Sequence, residues 1–350
     1  MFVLGLYATK IQKINELVFV FLIKMIVPSN VCGVKHVVCD GKIDFPLVTE
    51  AKIQLFYVSL QSDYYGVRLL PLAHDRTFVM TDGHGRRKVE YMDDIRKTKV
   101  TMVQYDIAWR MVAENRNRIE SLVAALPASD VIVLPEMFTT GFVSEPHGVA
   151  EKAGDSETVR WMARIAQNRD CAVAGSIVVR TDEGFRNRLY FVTPDGVSYY
   201  DKHHLFGYGG EDRHFVAGQQ RLVVEWRGVR WMPVICYDLR FPTWCRNRED
   251  YDVMICVASW PQGRIQVWRT LLAARAIENQ CFTVGVNRVG DDPTGHYSGG
   301  SMVADPWGRC VAECKDECQE AVTYGLNISG MRTFREKFPV LRDRDGMLTS

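Results

Sequence analysis

The strongest constraint on this chain is the way apolar, strand-like runs end on chemically reactive side chains. Val131-Ile132-Val133-Leu134-Pro135 runs into Glu136, Tyr199-Tyr200-Asp201 into Lys202, and Met232-Pro233-Val234-Ile235 into Cys236. Strand termini are where α/β sheets assemble their sites, so three such endings point to one α/β domain with a carboxylate, an ammonium and a thiol near each other. The surrounding pattern has the same period. A strand over Lys99 to Tyr105 is followed by a helix over Val112 to Ala125 and a strand over Asp130 to Leu134. A helix over Val159 to Gln167 then precedes strands over Ala172 to Val179, Leu189 to Thr193 and Val197 to Tyr200, the last entered through the turn Pro194-Asp195-Gly196. A third cycle has a strand over Met232 to Cys236, a helix from Thr243, a strand over Val253 to Ala258, a helix over Gln266 to Gln280 and a strand over Cys281 to Asn287.

Composition excludes several classes of function. A formal net charge of +1 offers no electrostatic case for nucleic acid or an anionic membrane. No phosphate-binding Gly-Lys-Ser/Thr loop or dinucleotide glycine fingerprint occurs, so no cofactor is expected. The ten cysteines are diluted over 350 residues, and Cys171, Cys256 and Cys281 lie in apolar runs without paired spacing, as reduced core thiols do. Cys310, Cys314 and Cys318 recur every fourth residue but lack the close pairs of a zinc site, so no metal is expected.

A thiol attacks a carbonyl as a thiolate, and a fixed cation such as Lys202 favours that form. Attack puts negative charge on the carbonyl oxygen, which Lys202 and the backbone N–H of Tyr237 are expected to stabilise. Glu136 is then the proton carrier, accepting from Cys236 and returning the proton to the leaving amine. The same residue types also have ordinary roles: Cys236 as a buried thiol, Lys202 as a solvated charge, Glu136 as a strand-end cap. Arg275 and Glu278 are expected to form a structural ion pair at helical spacing. His203 and His204 are expected to pack rather than bind metal.

The wider motifs narrow the reading. Leu134-Pro135-Glu136-Met137-Phe138, Tyr200-Asp201-Lys202-His203-His204-Leu205-Phe206 and Ile235-Cys236-Tyr237-Asp238-Leu239-Arg240-Phe241-Pro242 resemble the glutamate, lysine and cysteine motifs of the nitrilase (carbon–nitrogen hydrolase) superfamily. Asn187-Arg188, Arg275-Ala276-Ile277-Glu278-Asn279-Gln280, Val286-Asn287-Arg288-Val289-Gly290 and Ser298-Gly299-Gly300-Ser301 are similar to further stretches of that family, so the resemblance runs from about Lys99 to Arg342. Tyr237 to Pro242 followed by Ala258-Ser259-Trp260-Pro261 looks most like the bacterial omega-amidases, which act on 2-oxoglutaramate.

The resemblance implies a four-layer α-β-β-α sandwich, a Glu136–Lys202–Cys236 triad with Glu211 orienting the lysine, and a cytoplasmic homodimer. It implies hydrolysis of a small ω-amido 2-oxo acid, 2-oxoglutaramate or 2-oxosuccinamate, through a thioester, with water as co-substrate. Aliphatic nitriles and N-carbamoyl compounds are the alternatives within the same chemistry, and a non-catalytic binding protein is the alternative outside it. The loop Gly207-Tyr208-Gly209-Gly210 departs from the family's bulkier residues.

The hydrolase domain is expected over 98–342, and residues 1–91 form a separate extension to which no function is assigned. Its apolar stretch from Leu17 to Ile23 is interrupted by Lys24 and ends at Pro28, too short for a membrane span, and no Ala-x-Ala cleavage site follows. Met92 is a candidate translation start, which would make the extension an upstream artefact or a poorly structured segment.

Overall fold

A computed structural model describes residues 77–81, 87–91 and 97–345. The chain divides into units Met1–Asp94 and Ile95–Ser350. In the first, Thr77–Thr81 pairs antiparallel with Arg87–Tyr91, with Val79 opposite Val89. The expectations for the apolar stretch near Leu17 and for Met92 fall outside the described residues.

The second unit is built on two sheets. In the first, the strand order is Glu320–Leu326, Thr98–Gln104, Val131–Val133, Ala172–Thr181, Gly184–Thr193 and Gly196–Asp201, with Glu151–Lys152 beside Ala172–Thr181. In the second it is Cys310–Glu313, Met302–Ala304, Phe282–Val286, Val253–Val257, Val229–Ile235 and Val224–Trp226. The central strands of both sheets run parallel: Thr98–Gln104 with Val131–Val133 and Ala172–Thr181, and Val229–Ile235 with Val253–Val257 and Phe282–Val286. Parallel strands are covered on both faces, and these read as nearly continuous apolar runs for that reason.

Three apolar layers follow. Val100, Met102, Val131 and Val133 of the first sheet pack against Trp231, Ile235, Val253, Ile255 and Val284 of the second, forming a core between the sheets. On the outer face of the first sheet, Val103, Ile132 and Val173 meet Ile119 and Val123 of the Val112–Ala124 helix and Trp161, Met162 and Ile165 of the Glu157–Arg169 helix. On the outer face of the second, Val234, Met254 and Cys256 meet Trp268, Leu272 and Ala276 of the Ile265–Asn279 helix. The architecture is the α-β-β-α sandwich.

Two differences from the sequence-based expectation concern the neighbourhood of Cys236. The strand ends at Ile235, and Cys236 opens a 3-10 turn through Arg240. The helix expected from Thr243 onward is only Pro242–Cys245. Asn247 stops it: its side-chain amide donates to the Tyr251 and Asn279 carbonyls, and its oxygen accepts from Asp250 N, which turns the chain back into the sheet. Among the described residues, no helix is long and apolar enough to cross a membrane.

Candidate active site

The three reactive residues predicted from sequence converge, each supplied by a strand end. Lys202 directly follows Gly196–Asp201, Cys236 directly follows Val229–Ile235, and Glu136 lies just beyond Val131–Val133. Two flanking backbone positions are unusual. Cys236 has φ +45° and Met137, next to Glu136, has φ +44°, a left-handed conformation that costs a non-glycine residue about 1–3 kcal/mol. The surroundings impose it: Met137 N donates to Ser176 Oγ at 2.8 Å, and Ile235 N donates to Asp238 Oδ2 at 3.0 Å.

Lys202 is enclosed by two carboxylates. Its Nζ donates to Glu136 Oε1 at 2.9 Å and to Glu211 Oε2 at 2.8 Å, and none of the three side chains is exposed to solvent. Asn187 Nδ2 joins the same carboxylates, donating to Glu136 Oε1 at 2.9 Å and Glu211 Oε1 at 3.0 Å. The other oxygen of Glu136 accepts from Ser259 N at 2.9 Å, and Glu211 Oε2 also accepts from Phe206 N at 2.7 Å. Opposed effects act on the ammonium: burial lowers its pKa, but Glu136 and Glu211 outweigh burial, so it is pushed well above its usual range and stays charged. Burial raises the Glu211 carboxyl, with Lys202 pulling the other way.

Cys236 is half-buried, and the charges of Glu136 and Lys202 both act on its thiol. Burial first, then the Glu136 charge, raise its pKa well above the usual range, against the lowering effects of Lys202 and Ser259 N. Lys202 does favour the thiolate as expected from sequence, but it does not prevail. The raised pKa makes the resting group a neutral thiol, under the influence of the carboxylate that would take its proton.

Residues that the sequence reading left out of the site position its walls. Ser259 lies just past Val253–Val257, which neighbours the Cys236 strand, and Asn287 just past Phe282–Val286, one strand further on. Asn287 fixes the Ser259-Trp260 loop: its Oδ1 accepts from Trp260 N at 2.7 Å, and its Nδ2 donates to Trp260 O at 2.9 Å. Asn187 belonged to a recognised stretch, but nothing in its spacing shows that it bridges two carboxylates. Phe142, Phe206 and Tyr237 form an aromatic wall, with ring centres 6.3 Å apart for the first pair and 5.2 Å for the second.

Beneath the Cys236 turn, Asp238 is fully buried and accepts from Tyr200 Oη at 2.7 Å and His204 N at 2.8 Å. It therefore packs with Tyr200 and His204, while Arg240 lies over the Trp260 ring. His203 and His204 stack on Trp244 and Phe241, matching the packing role expected of them. Arg275 pairs with Glu278 at 3.0 Å as expected, and also donates to Leu239 O at 2.7 Å, tying the helix to the Cys236 turn.

A thiol, a carboxylate that can take its proton and a buried ammonium form a set suited to acyl transfer. The Carbon-nitrogen hydrolase family matches residues 99–336. The chain belongs to this family. It is 43% identical over 253 residues to Omega-amidase YafV of Yersinia enterocolitica, an alignment covering 71% of this chain and 98% of that protein. It is 34% identical over 254 residues to 2-oxoglutaramate amidase of Bacillus subtilis, covering 71% and 97% respectively. Among solved structures, XC1258 of Xanthomonas campestris, a CN-hydrolase superfamily protein with an arsenic adduct in its active site, is 40% identical with a TM-score of 0.70 and covers 73% of this chain and 99% of that one. As a carbon–nitrogen hydrolase, this chain carries its reactive set in the unit those relatives cover.

Proposed function

We propose that this carbon–nitrogen hydrolase is an omega-amidase, converting a small ω-amido 2-oxo acid such as 2-oxoglutaramate to the dicarboxylic acid and ammonia. One observation carries the reading: Glu136, whose charge acts on the Cys236 thiol, also holds the buried Lys202 through Oε1 at 2.9 Å. The similarity to omega-amidase and 2-oxoglutaramate amidase over nearly the full length of those relatives supports the substrate class.

The Cys236 sulfur attacks the amide carbon as its proton passes to Glu136. Lys202 and the Tyr237 backbone N–H meet the developing negative charge on the carbonyl oxygen. Collapse of this intermediate breaks the C–N bond, Glu136 returns the proton to the departing nitrogen, and a Cys236 thioester remains. Glu136 then deprotonates the water that attacks the thioester, releasing the carboxylic acid and restoring the thiol. Glu211 positions Lys202 throughout, and the high pKa of the resting thiol makes proton transfer to Glu136 part of the attack.

The enzyme works as a cytoplasmic homodimer in this reading. Ile277, Trp307 and Phe338 are exposed, and Trp307 packs at a tilt on Phe334 with ring centres 4.1 Å apart, an apolar face on the helical side that a second copy would cover.

The test is ammonia release from 2-oxoglutaramate, glutamine, asparagine and a simple aliphatic nitrile by the protein and by Cys236→Ala. Release from 2-oxoglutaramate, lost in the variant, is expected. Turnover of the nitrile alone, or silence on all four, would refute the proposal.

A further inference from the structure

The buried part of the site holds two carboxylates, Glu136 and Glu211, against one ammonium, Lys202. With Cys236 as a neutral thiol, the site is negative before any substrate enters. An ω-amido acid adds a carboxylate of its own, and repulsion between like charges is large in a partly desolvated pocket. A cation must therefore face the end of the substrate away from the thiol. We propose that Arg264 is this cation and binds the substrate carboxylate through its two-pronged guanidinium, setting the preference for acidic amides. The inference rests on the omega-amidase reading and names the residue that would enforce it.

Arg264 differs from the arginines that follow it along the same helix. Arg269 pairs with Glu313 and Asp316, and Arg275 with Glu278. The Arg264 guanidinium has no ion pair or hydrogen bond among the described residues, and its carbon lies 5.6 Å from the Phe206 ring centre. It does not cap the helix either, since the Ile265–Asn279 helix has no side-chain cap at this position. Its backbone is nevertheless fixed, with Arg264 O accepting from Trp260 Nε1 at 2.8 Å and Arg264 N donating to Pro261 O at 3.0 Å. A half-buried, unpaired guanidinium on an anchored backbone is ready for a planar anion, because its fork geometry matches a carboxylate.

The aromatic wall links Arg264 to the reacting groups. Phe206, under the guanidinium, packs edge-on to Tyr237, the residue after Cys236, and to Phe142, whose ring centre lies 5.6 Å from Lys202 Nζ. Phe206 N also donates to Glu211, the carboxylate that holds Lys202. The same wall thus carries Arg264 on its middle ring, between Phe142 on the Lys202 side and Tyr237 beside Cys236. Arg240, also half-buried, lies over Trp260 at 5.2 Å from the ring centre and is the internal comparison.

The test does not need the natural substrate. Iodoacetate and iodoacetamide are nearly the same size and differ by one negative charge, and peptide mass spectrometry reads their rates at Cys236. Arg264→Gln is expected to lower the iodoacetate-to-iodoacetamide rate ratio at least about tenfold, while Arg269→Gln, which removes a paired charge on the same helix, leaves it unchanged. In turnover, Arg264→Gln raises KM for 2-oxoglutaramate about 100-fold and leaves kcat/KM for butanamide unaltered, and Arg264→Lys recovers part of the loss by keeping the charge without the fork. A ratio unmoved in a folded Arg264→Gln protein or, should that variant not fold, in Arg264→Met, or a drop seen only in Arg240→Gln, overturns the assignment. Failure of the wild-type protein to release ammonia from 2-oxoglutaramate would sink the omega-amidase reading instead, and the alkylation ratio would still decide whether Arg264 serves an anion.

Discussion

Lys202 Nζ lies 2.8 Å from Glu211 Oε2, and neither side chain is exposed to solvent. Glu211 is thus a second anchor for the ammonium beside Glu136, and a Lys side chain without that partner would regain rotamer freedom. Glu211→Gln keeps the size and one acceptor oxygen but removes the charge. We expect kcat to fall about 100-fold with little change in KM, since an oxyanion donor that wanders costs about as much as a missing one. Steady-state ammonia release measures both constants. An unchanged kcat would mean that Glu136 alone positions Lys202.

Glu136 has two effects on Cys236, and they can be separated. Its charge is the largest cause, after burial, of the raised thiol pKa, while Lys202 acts to lower it. Replacing Glu136 by Gln removes the raising charge and leaves the lowering one. Alkylation of Cys236 by iodoacetamide at pH 7 should therefore become several-fold faster, while turnover falls by about three orders of magnitude because no group remains to move the proton. Cys245, buried and with its thiol pushed up to about 12, stays unlabelled in both proteins. Peptide mapping of the labelled thiols reads the first effect and ammonia release the second. Slower labelling in the variant would contradict the role of the Glu136 charge.

Asp252 predicts the acid limit of stability. It is buried and accepts from Arg230 and Arg332 Nη2 and from Arg335 Nη1, the last at 3.0 Å, so it fastens the Ile328–Lys337 helix to the second sheet. Burial raises its pKa, but hydrogen bonds from Arg332 and Arg230 prevail and lower it from 3.8 to about 2. A carboxyl with a depressed folded-state pKa contributes stability that is present above the unfolded value and lost as pH falls through the folded one. This contribution, about 2 kcal/mol, should disappear between roughly pH 4 and pH 2. Denaturant unfolding at a series of pH values measures the loss, and Asp252→Asn should flatten the slope in that window. Arg230 and Arg332 are partly open to solvent and only Arg335 is largely buried, so Asp252→Asn should cost about 2 kcal/mol at pH 7.

How much of this was legible in the sequence follows from the range of each interaction. The strand runs ending on Glu136 and Cys236 are buried within the sheets, which keeps them apolar, while the edge strand Gly196–Asp201 is marked by the turn before it, so their positions could be read within a few residues. The helices Val112–Ala124 and Ile265–Asn279 were likewise readable to within about a residue, because their apolar spacing reflects a sheet beneath them. The strand Glu320–Leu326 was not read. It is only half-buried, and it belongs to the first sheet through pairing with Thr98–Gln104, more than two hundred residues earlier in the chain. The Asn187 bridge between Glu136 and Glu211 was hidden for a similar reason: one amide serves partners 51 and 24 residues away, which leaves no trace in local spacing. The raised pKa of Cys236 was also hidden, because the net effect depends on burial and the nearby Glu136 as well as on Lys202.

Gly218 tests how tightly the Lys202 backbone is held. Its N–H donates to Lys202 O at 2.8 Å and its carbonyl meets His203 Nδ1 at 2.6 Å, so the segment after the site runs hard against the strand end that delivers the ammonium. A Cβ at position 218 would lie 2.2 Å from Asp201 O, a backbone atom that cannot rotate away. Gly218→Ala must therefore push Asp201-Lys202 or its own segment aside, and overpacking of this kind costs about 1–3 kcal/mol. Because the displaced atoms adjoin Lys202, kcat should fall at least about tenfold in protein that remains folded at 25 °C, with KM less affected. Gly196→Ala, at a turn where an added Cβ meets no atom within 4 Å, is the matched control and should leave kcat within about twofold of the parent. Equal kinetics for the two variants would show that the strand end tolerates the displacement and that Lys202 is positioned by its carboxylates alone.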